Sequence, residues 1–193
     1  MRKIAAVVLL LSGFASAQSS AKSWDLAIWF AGGHSVPGGT GGVSVFDAGL
    51  RIGKVLTHDH GPGILRGNFE YAIDLVPMYV VHQNSTAYGA GFNPINLKWN
   101  FSSAKLLTPY LELGGGTLFT TSNVPAGTNS VNFRTHAGFG VHFSNNRSIK
   151  PTLEVRYEHI SNAGLASPNP GINTLQVLIG MNWFTSASFG RER

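Results

Sequence analysis

The sequence contains no cysteine, so the folded chain must be held together without disulfide bonds. It also contains few charged residues: Asp, Glu, Lys and Arg make up 12% of its 193 residues, against the ~25% that is usual in globular domains. No stretch of the chain beyond its first residues has the pattern of a long amphipathic helix or of a membrane-spanning helix. No basic cluster with interleaved aromatic residues is present, which argues against nucleic-acid binding. The low charge instead indicates a large surface that does not face water.

The N-terminus has the three parts of a secretory signal peptide. Arg2 and Lys3 give the positive start, residues 4–11 form a short apolar run, and residues 15–17 (Ala-Ser-Ala) resemble a cleavage site. We therefore expect a signal peptide at 1–17 and a mature chain of 193 − 17 = 176 residues that forms a single domain at 18–193. Loss of Arg2 and Lys3 lowers the formal net charge from +5 to +3.

The mature chain consists of about eight strand-like runs, separated by clusters of Gly, Pro, Asn and Ser. Within the runs, polar and apolar residues alternate, as they do on the two faces of a β-strand. The runs lie roughly at 24–33, 43–55, 63–76, 87–101, 108–121, 131–144, 150–162 and 172–184.

One face of these strands carries charges of both signs and many glycines, whereas the other is apolar. A soluble eight-stranded barrel, such as a lipocalin-like binder, would turn the apolar face inward, whereas an outer-membrane barrel turns it toward lipid. Paired charges suit a narrow barrel interior, and apolar stripes ending in aromatic residues suit a membrane interface. We therefore predict an all-β fold, an eight-stranded antiparallel transmembrane β-barrel in the outer membrane of a Gram-negative-type bacterium. The predicted interfacial aromatic residues are Trp29, Tyr71, Trp99, Tyr157 and Trp183.

An even number of strands places both termini in the periplasm. The predicted outer loops are then 33–42, 77–86, 122–130 and 163–171, and the predicted periplasmic turns are 56–62, 102–107 and 145–149. His159 and Ser161, two residues apart at the end of the seventh strand, would lie at the outer rim with lipid-facing parity.

Two interpretations of His159 and Ser161 are possible from the residues alone. On spacing alone, the favoured one is a pair of rim residues without a chemical role. The other is a nucleophile and its base, since a serine hydroxyl needs an adjacent base to attack a carbonyl.

A second polar motif, His-Asp-His at 58–60, lies in a predicted turn without a clear third ligand for a metal ion. No metal and no cofactor is therefore expected.

The segment HISNAGLASPNPGIN at 159–173 resembles the active-site segment of the lipid A 3-O-deacylase family, the acyloxyacyl-hydrolase-like outer-membrane barrels. The segment GFNPINLKWNF at 91–101 also resembles a part of that family. The resemblance implies a serine esterase that removes an ester-linked acyl chain from lipid A, the membrane anchor of lipopolysaccharide, in the outer leaflet. It implies that Ser161 is the nucleophile, that His159 is the general base, and that Asn162 and Gly164 contribute to the oxyanion hole.

The chain departs from the family's prototype at Asn173, where the prototype has glutamate. The carbonyl oxygen of Asn173 can accept the imidazole N–H of His159, as asparagine does in Cys-His-Asn proteases. It provides no negative charge, so we expect a slower enzyme with a Ser-His-Asn site. The alternative function is a non-enzymatic small outer-membrane barrel with a structural role or a role in binding lipid or a partner. Whether the barrel forms a homodimer is left open.

Overall fold

The computed structural model describes residues 23–102, 107–143 and 149–186, which form a closed barrel of eight antiparallel strands. Each strand pairs with the next along the chain, and the first pairs with the last, so the sheet has no free edge. This confirms the predicted fold class. The strands are β1 (Ser23–Ser35), β2 (Ser44–Val55), β3 (Gly67–His82), β4 (Thr86–Phe101), β5 (Leu107–Thr120), β6 (Val131–Phe143), β7 (Ile149–Ser161) and β8 (Ile172–Ser186).

The polar face of each strand points into the barrel and the apolar face points outward. Along β7, Glu154 and Arg156 are buried, whereas Val155 and Tyr157 are exposed. The same alternation holds on β6 and on most of β8. The assignment of the two faces from the sequence is therefore confirmed, and the exposed apolar belt is the surface that an outer-membrane barrel presents to lipid.

Ion pairs fill much of the interior, next to a cluster of buried apolar side chains that includes Leu118 and Ile160. Each of four buried cations lies within 3.2 Å of two carboxylates, which gives most of the buried charges the partners they need in a low-dielectric interior. The cations with their carboxylates are Arg134 with Asp47 and Glu158, Arg51 with Asp74 and Glu112, Arg156 with Glu112 and Glu154, and Lys98 with Asp25 and Glu70.

Glycines on the inner face make room for the largest interior side chains. A Cβ at Gly49 would collide with the Trp29 ring, and one at Gly140 would collide with the Tyr110 ring. Filled in this way, an eight-stranded barrel is a packed body and not a wide channel.

Two expectations, one about the bounds of a strand and one about the direction of a side chain, were wrong. The third strand was expected at 63–76, but residues 63–65 form a 3₁₀ turn and β3 continues to His82, so the loop after it is 83–85. Pro77 does not end the strand because the pairing of β3 with β4 shifts register between Val76 and Tyr79, and a bulge tolerates proline. Trp29 was expected at the membrane interface, but it points into the barrel and is 3% exposed.

The end of the barrel that is predicted to face outward is opposite to the described termini. Ser23 pairs with Ser186, so both described termini lie at one end, and the loops 36–43, 83–85, 121–130 and 162–171 lie at the other. The expected signal peptide lies outside the described residues, as do most of the predicted turns at 102–107 and 145–149. Among the described residues, no helix has the length and apolarity needed to cross a membrane.

Candidate active site

His159 and Ser161 occupy the last two outward-facing positions of β7. Both are half-buried and lie beside the outer loops, on the barrel face that carries Val155 and Tyr157 lower down. On β6, His159 pairs with Thr135 and Ser161 with Phe133. The structure therefore places the two side chains where the strand pattern predicted, about 7 Å apart between Cα atoms.

Asn173 joins His159 from the neighbouring strand. The two residues are direct partners across the β7–β8 ladder, and Nδ1 of His159 lies 2.6 Å from Oδ1 of Asn173. Because an amide oxygen only accepts hydrogen bonds, this contact requires the imidazole to carry its proton on Nδ1. In the neutral imidazole with this tautomer, Nε2 carries the lone pair that a general base needs.

The loop between β1 and β2 covers Asn173. The residue has the outward parity expected from the sequence, yet it is only 6% exposed and does not face lipid. Val36 donates its backbone N–H to the carbonyl oxygen of Asn173 at 2.8 Å. Thr40 donates its backbone N–H to the carbonyl oxygen of Gly171, also at 2.8 Å. These bonds extend the pairing of β1 with β8 beyond Ser35 and bring the loop over the start of β8.

A tight turn follows Ser161 directly. Leu165 donates its N–H to the carbonyl oxygen of Asn162 at 3.0 Å, and the two central residues, Ala163 and Gly164, have φ values of 51° and 80°. Positive φ at both central positions is the signature of a type I′ turn. Glycine adopts this conformation at little cost, but alanine does not, and backbone strain of this kind clusters at functional sites. Ala163 was not singled out from the sequence.

Asn162 organises the rest of the 162–171 loop. Its side-chain oxygen accepts the N–H of Gly164 at 2.9 Å, and its amide nitrogen donates to the carbonyl oxygen of Ala166 at 3.1 Å. Its backbone N–H donates to Oδ1 of Asn169, also at 3.1 Å. The structure thus brings Asn162 and Gly164 together beside Ser161, with their donors engaged within the loop. Asn169, which the sequence did not mark, belongs to the same network.

Within residues 23–102, 107–143 and 149–186, no carboxylate is hydrogen-bonded to His159 in place of the prototype's glutamate. The acid next to it in the chain, Glu158, points into the barrel and is bound there by Arg134 and Tyr79 at 2.6 Å each, as its parity predicted. The partner of His159 in this structure is therefore the neutral amide of Asn173.

The His-Asp-His motif at 58–60 lies in the turn region between β2 and β3. Nδ1 of His60 lies 2.8 Å from the carbonyl oxygen of His58, and Asp59 accepts a hydrogen bond from Asn68. Within residues 23–102, 107–143 and 149–186, no group of three or more His, Cys, Asp or Glu side chains is arranged to hold a metal ion. His136 and His142 are buried in the barrel interior, where Glu112 and Thr152 are their respective neighbours.

Two solved structures of outer-membrane proteins have a similar fold. The outer membrane enzyme PagL superposes with a TM-score of 0.59 at 21% sequence identity, over 81% of this chain and 97% of that one. The outer membrane protein OprG from Pseudomonas aeruginosa has a TM-score of 0.50 at 11% identity, over 87% of this chain and 98% of that one. At such identities the likeness establishes the fold alone.

Comparison of sequences identifies the family. No curated protein sequence matches the chain. The model of one family does match, over residues 56–182, and this range is more than half of the chain and includes β7, the 162–171 loop and Asn173. The chain belongs to the lipid A 3-O-deacylase (PagL) family.

Proposed function

We propose that this protein is an outer-membrane lipid A deacylase in which Ser161, His159 and Asn173 hydrolyse an ester-linked acyl chain, at position 3 as the family's name states. The observation that carries the proposal is the 2.6 Å contact between His159 Nδ1 and Asn173 Oδ1, beside a serine at the outer rim of the barrel. A base oriented by a third group next to a hydroxyl is the arrangement of nucleophilic catalysis.

The proton transfers follow from the tautomer of His159. Nε2 takes the proton of the Ser161 hydroxyl as Oγ attacks the ester carbonyl, and the resulting imidazolium returns that proton to the sugar oxygen as the ester bond breaks. Water then attacks the acyl-serine, with Nε2 again accepting a proton, and the fatty acid leaves as Ser161 is restored. Asn173 holds Nδ1–H throughout and never needs to lose or gain a proton.

The tetrahedral intermediate needs hydrogen-bond donors at its oxyanion, and we assign this role to Asn162 and Gly164. Support comes from their position in the turn that directly follows Ser161. The amide nitrogen of Asn162 carries two hydrogens, of which Ala166 takes one. The N–H of Gly164, which donates to Asn162, would have to exchange that acceptor for the oxyanion.

The substrate would reach the site without leaving the membrane. Below His159, the outward positions of β7 are Tyr157, Val155 and Leu153, and all three are exposed. An acyl chain in the outer leaflet can lie along such an apolar surface while its ester group reaches Ser161 at the rim. Lipid A, whose acyl chains are embedded and whose ester groups lie near the interface, matches this geometry.

The direct test is release of fatty acid from purified lipid A by the folded protein in detergent micelles. We expect release by the parent chain and none by Ser161→Ala or His159→Ala, with all variants retaining the fold because both residues lie at the rim. Ser44→Ala is a control at the same end of the barrel, since its hydroxyl lies 2.9 Å from Nδ1 of His34, a second serine–histidine pair. Full activity of Ser161→Ala, or loss of activity in Ser44→Ala instead, would contradict the assignment.

A further inference from the structure

We infer that Gly38, in the loop between β1 and β2, is a positioning residue for the pair formed by Asn173 and His159. The lack of a side chain at Gly38 leaves the space in which the Asn173 amide keeps its oxygen on the imidazole. The inference rests on the proposed function. It adds to the proposed site the loop between β1 and β2, which lies near the other end of the sequence.

The amide of Asn173 lies against the position that a side chain at Gly38 would occupy. A Cβ atom at Gly38 would lie 2.8 Å from Nδ2 of Asn173, which is closer than real Cβ contacts allow. Oδ1 of the same amide lies 2.6 Å from Nδ1 of His159. The amide is therefore held between the loop backbone on its nitrogen side and the imidazole on its oxygen side.

The loop has little freedom to retreat from a larger residue at position 38. Val36 and Thr40, on either side of Gly38, are hydrogen-bonded at 2.8 Å to the carbonyl oxygens of Asn173 and Gly171. A Cβ at Gly39 would itself lie 2.9 Å from the carbonyl oxygen of Gly171, so the two backbones already approach closely. A methyl group at position 38 would therefore displace the Asn173 amide, not the loop.

The imidazole is confined in the same way by the second glycine of this contact. A Cβ at Gly171 would lie 2.8 Å from Cε1 of His159. Because Gly171 is bound to Thr40, the loop that faces Asn173 also fixes the backbone against which His159 packs. The glycines at 38 and 171 thus define the positions of both partners of the hydrogen bond.

Substitution at Gly38 should affect catalysis more than folding. The atom that a new methyl group would meet is the end of a flexible side chain, which can turn away without disturbing the strands. Turning it away separates Oδ1 from Nδ1, and His159 then loses the contact that sets its tautomer. The rate of the chemical step falls, whereas lipid binding by the outer surface of the barrel is unchanged.

Gly42 provides a matched control in the same loop. Gly38 and Gly42 both have positive φ, 108° and 70°, so alanine strains the backbone at either position. A Cβ at Gly42, however, would meet nothing within 4 Å. Gly42→Ala therefore reports the cost of alanine at positive φ in this loop without a side-chain contact. Because φ of 108° strains alanine more than φ of 70°, Gly38→Ala in the Asn173→Ala background separates the contact with Asn173 from that strain.

The kinetic experiment measures kcat and KM for lipid A hydrolysis by the full chain folded in detergent micelles. We expect Gly38→Ala to lower kcat roughly ten- to a hundredfold with KM unchanged, as a displaced catalytic geometry does, and Gly42→Ala to leave both constants near those of the parent. In the Asn173→Ala background, Gly38→Ala should cause no further loss. A loss of the same size in that background, or an equal loss in Gly42→Ala, would overturn the inference.

A spectroscopic measurement tests the positioning without reference to activity. In chains with ¹⁵N-labelled histidine, the Nδ1–H signal of His159 is identified by its loss in His159→Ala. In the parent and in Gly42→Ala, this proton should exchange slowly with water, so that its signal is observed. In Gly38→Ala and Asn173→Ala, it should exchange rapidly with water, so that its signal is lost. A signal retained in Gly38→Ala overturns the inference. A parent that releases no fatty acid overturns the proposed function, while this signal still decides the role of Gly38.

Discussion

A neutral amide is the partner of the imidazole in this site, and the charge missing from that position is expected to limit the rate. Asn173 fixes the tautomer of His159 through Oδ1. It does not provide the negative charge that stabilises the imidazolium formed when Ser161 attacks. Orientation and charge stabilisation, which one carboxylate supplies together, are therefore separable at this residue.

Substitutions of Asn173 should distinguish these two contributions. We expect Asn173→Ala to reduce turnover without eliminating it, because Ser161 and His159 remain. Asn173→Asp, which has the same shape as the parent residue, and Asn173→Glu, which restores the prototype's acid, should both match or exceed the parent rate. The measurement is fatty acid release from lipid A at saturating substrate. Slower hydrolysis by both acidic variants would show that the site requires an amide.

At the scale of residues, the sequence predicted what depends on strand parity and missed what depends on distant contacts. His159 and Ser161 could be placed at the outer rim because alternation along β7 is regular. The cover over Asn173 could not be predicted, since it comes from residues more than 130 positions earlier in the chain. The strained conformation of Ala163 was equally hidden, because alanine is not a residue that marks a turn.

At the scale of elements, the two faces of β7 are stabilised by different interactions. Val155, at the middle of the strand, is 49% exposed in the apolar belt. The next residue, Arg156, is buried and pairs with Glu154 at 2.7 Å and with Glu112 at 3.2 Å. Substitutions at these neighbouring positions should therefore destabilise the barrel for opposite reasons.

We expect Val155→Arg to destabilise the folded barrel by about 2–4 kcal/mol, the cost of a cation near the bilayer midplane. Arg156→Leu should destabilise it by about 3–5 kcal/mol because it leaves the buried carboxylate of Glu154 without its cation, while Glu112 keeps Arg51. Adding Glu154→Gln to Arg156→Leu should recover part of that loss, and Val155→Leu is the control for the outer face. Unfolding by guanidinium chloride in phospholipid vesicles measures these differences. A harmless Val155→Arg would mean that this face does not contact lipid.

Elements were predicted well where alternation is uninterrupted, as in β6 and β7, and less well where it is broken. The end of β3 was placed too early because Pro77 is an unusual strand residue, and the bulge that accommodates it is visible only in the pairing with β4. Trp29 was assigned to the interface from its residue type. Its parity with Asp25 and Ala27, both buried, was the better guide.

At the scale of the whole molecule, charge is segregated by location. The four outer loops, at 36–43, 83–85, 121–130 and 162–171, contain no Asp, Glu, Lys or Arg. Most charged residues of the described strands lie in the interior, where they form ion pairs beside the buried apolar cluster. On the proposed function, the rim that carries Ser161 lies at the level of the outer leaflet, above the apolar belt.

The measurement that tests the account most directly is mass spectrometry of lipid A from Gram-negative cells producing either the parent chain or Ser161→Ala at equal levels in the outer membrane. The account predicts lipid A lighter by one hydroxy fatty acid in cells with the parent chain, and lipid A of full mass in cells with Ser161→Ala. Lipid A of identical mass in both cultures, with the parent barrel folded in the outer membrane, would contradict it.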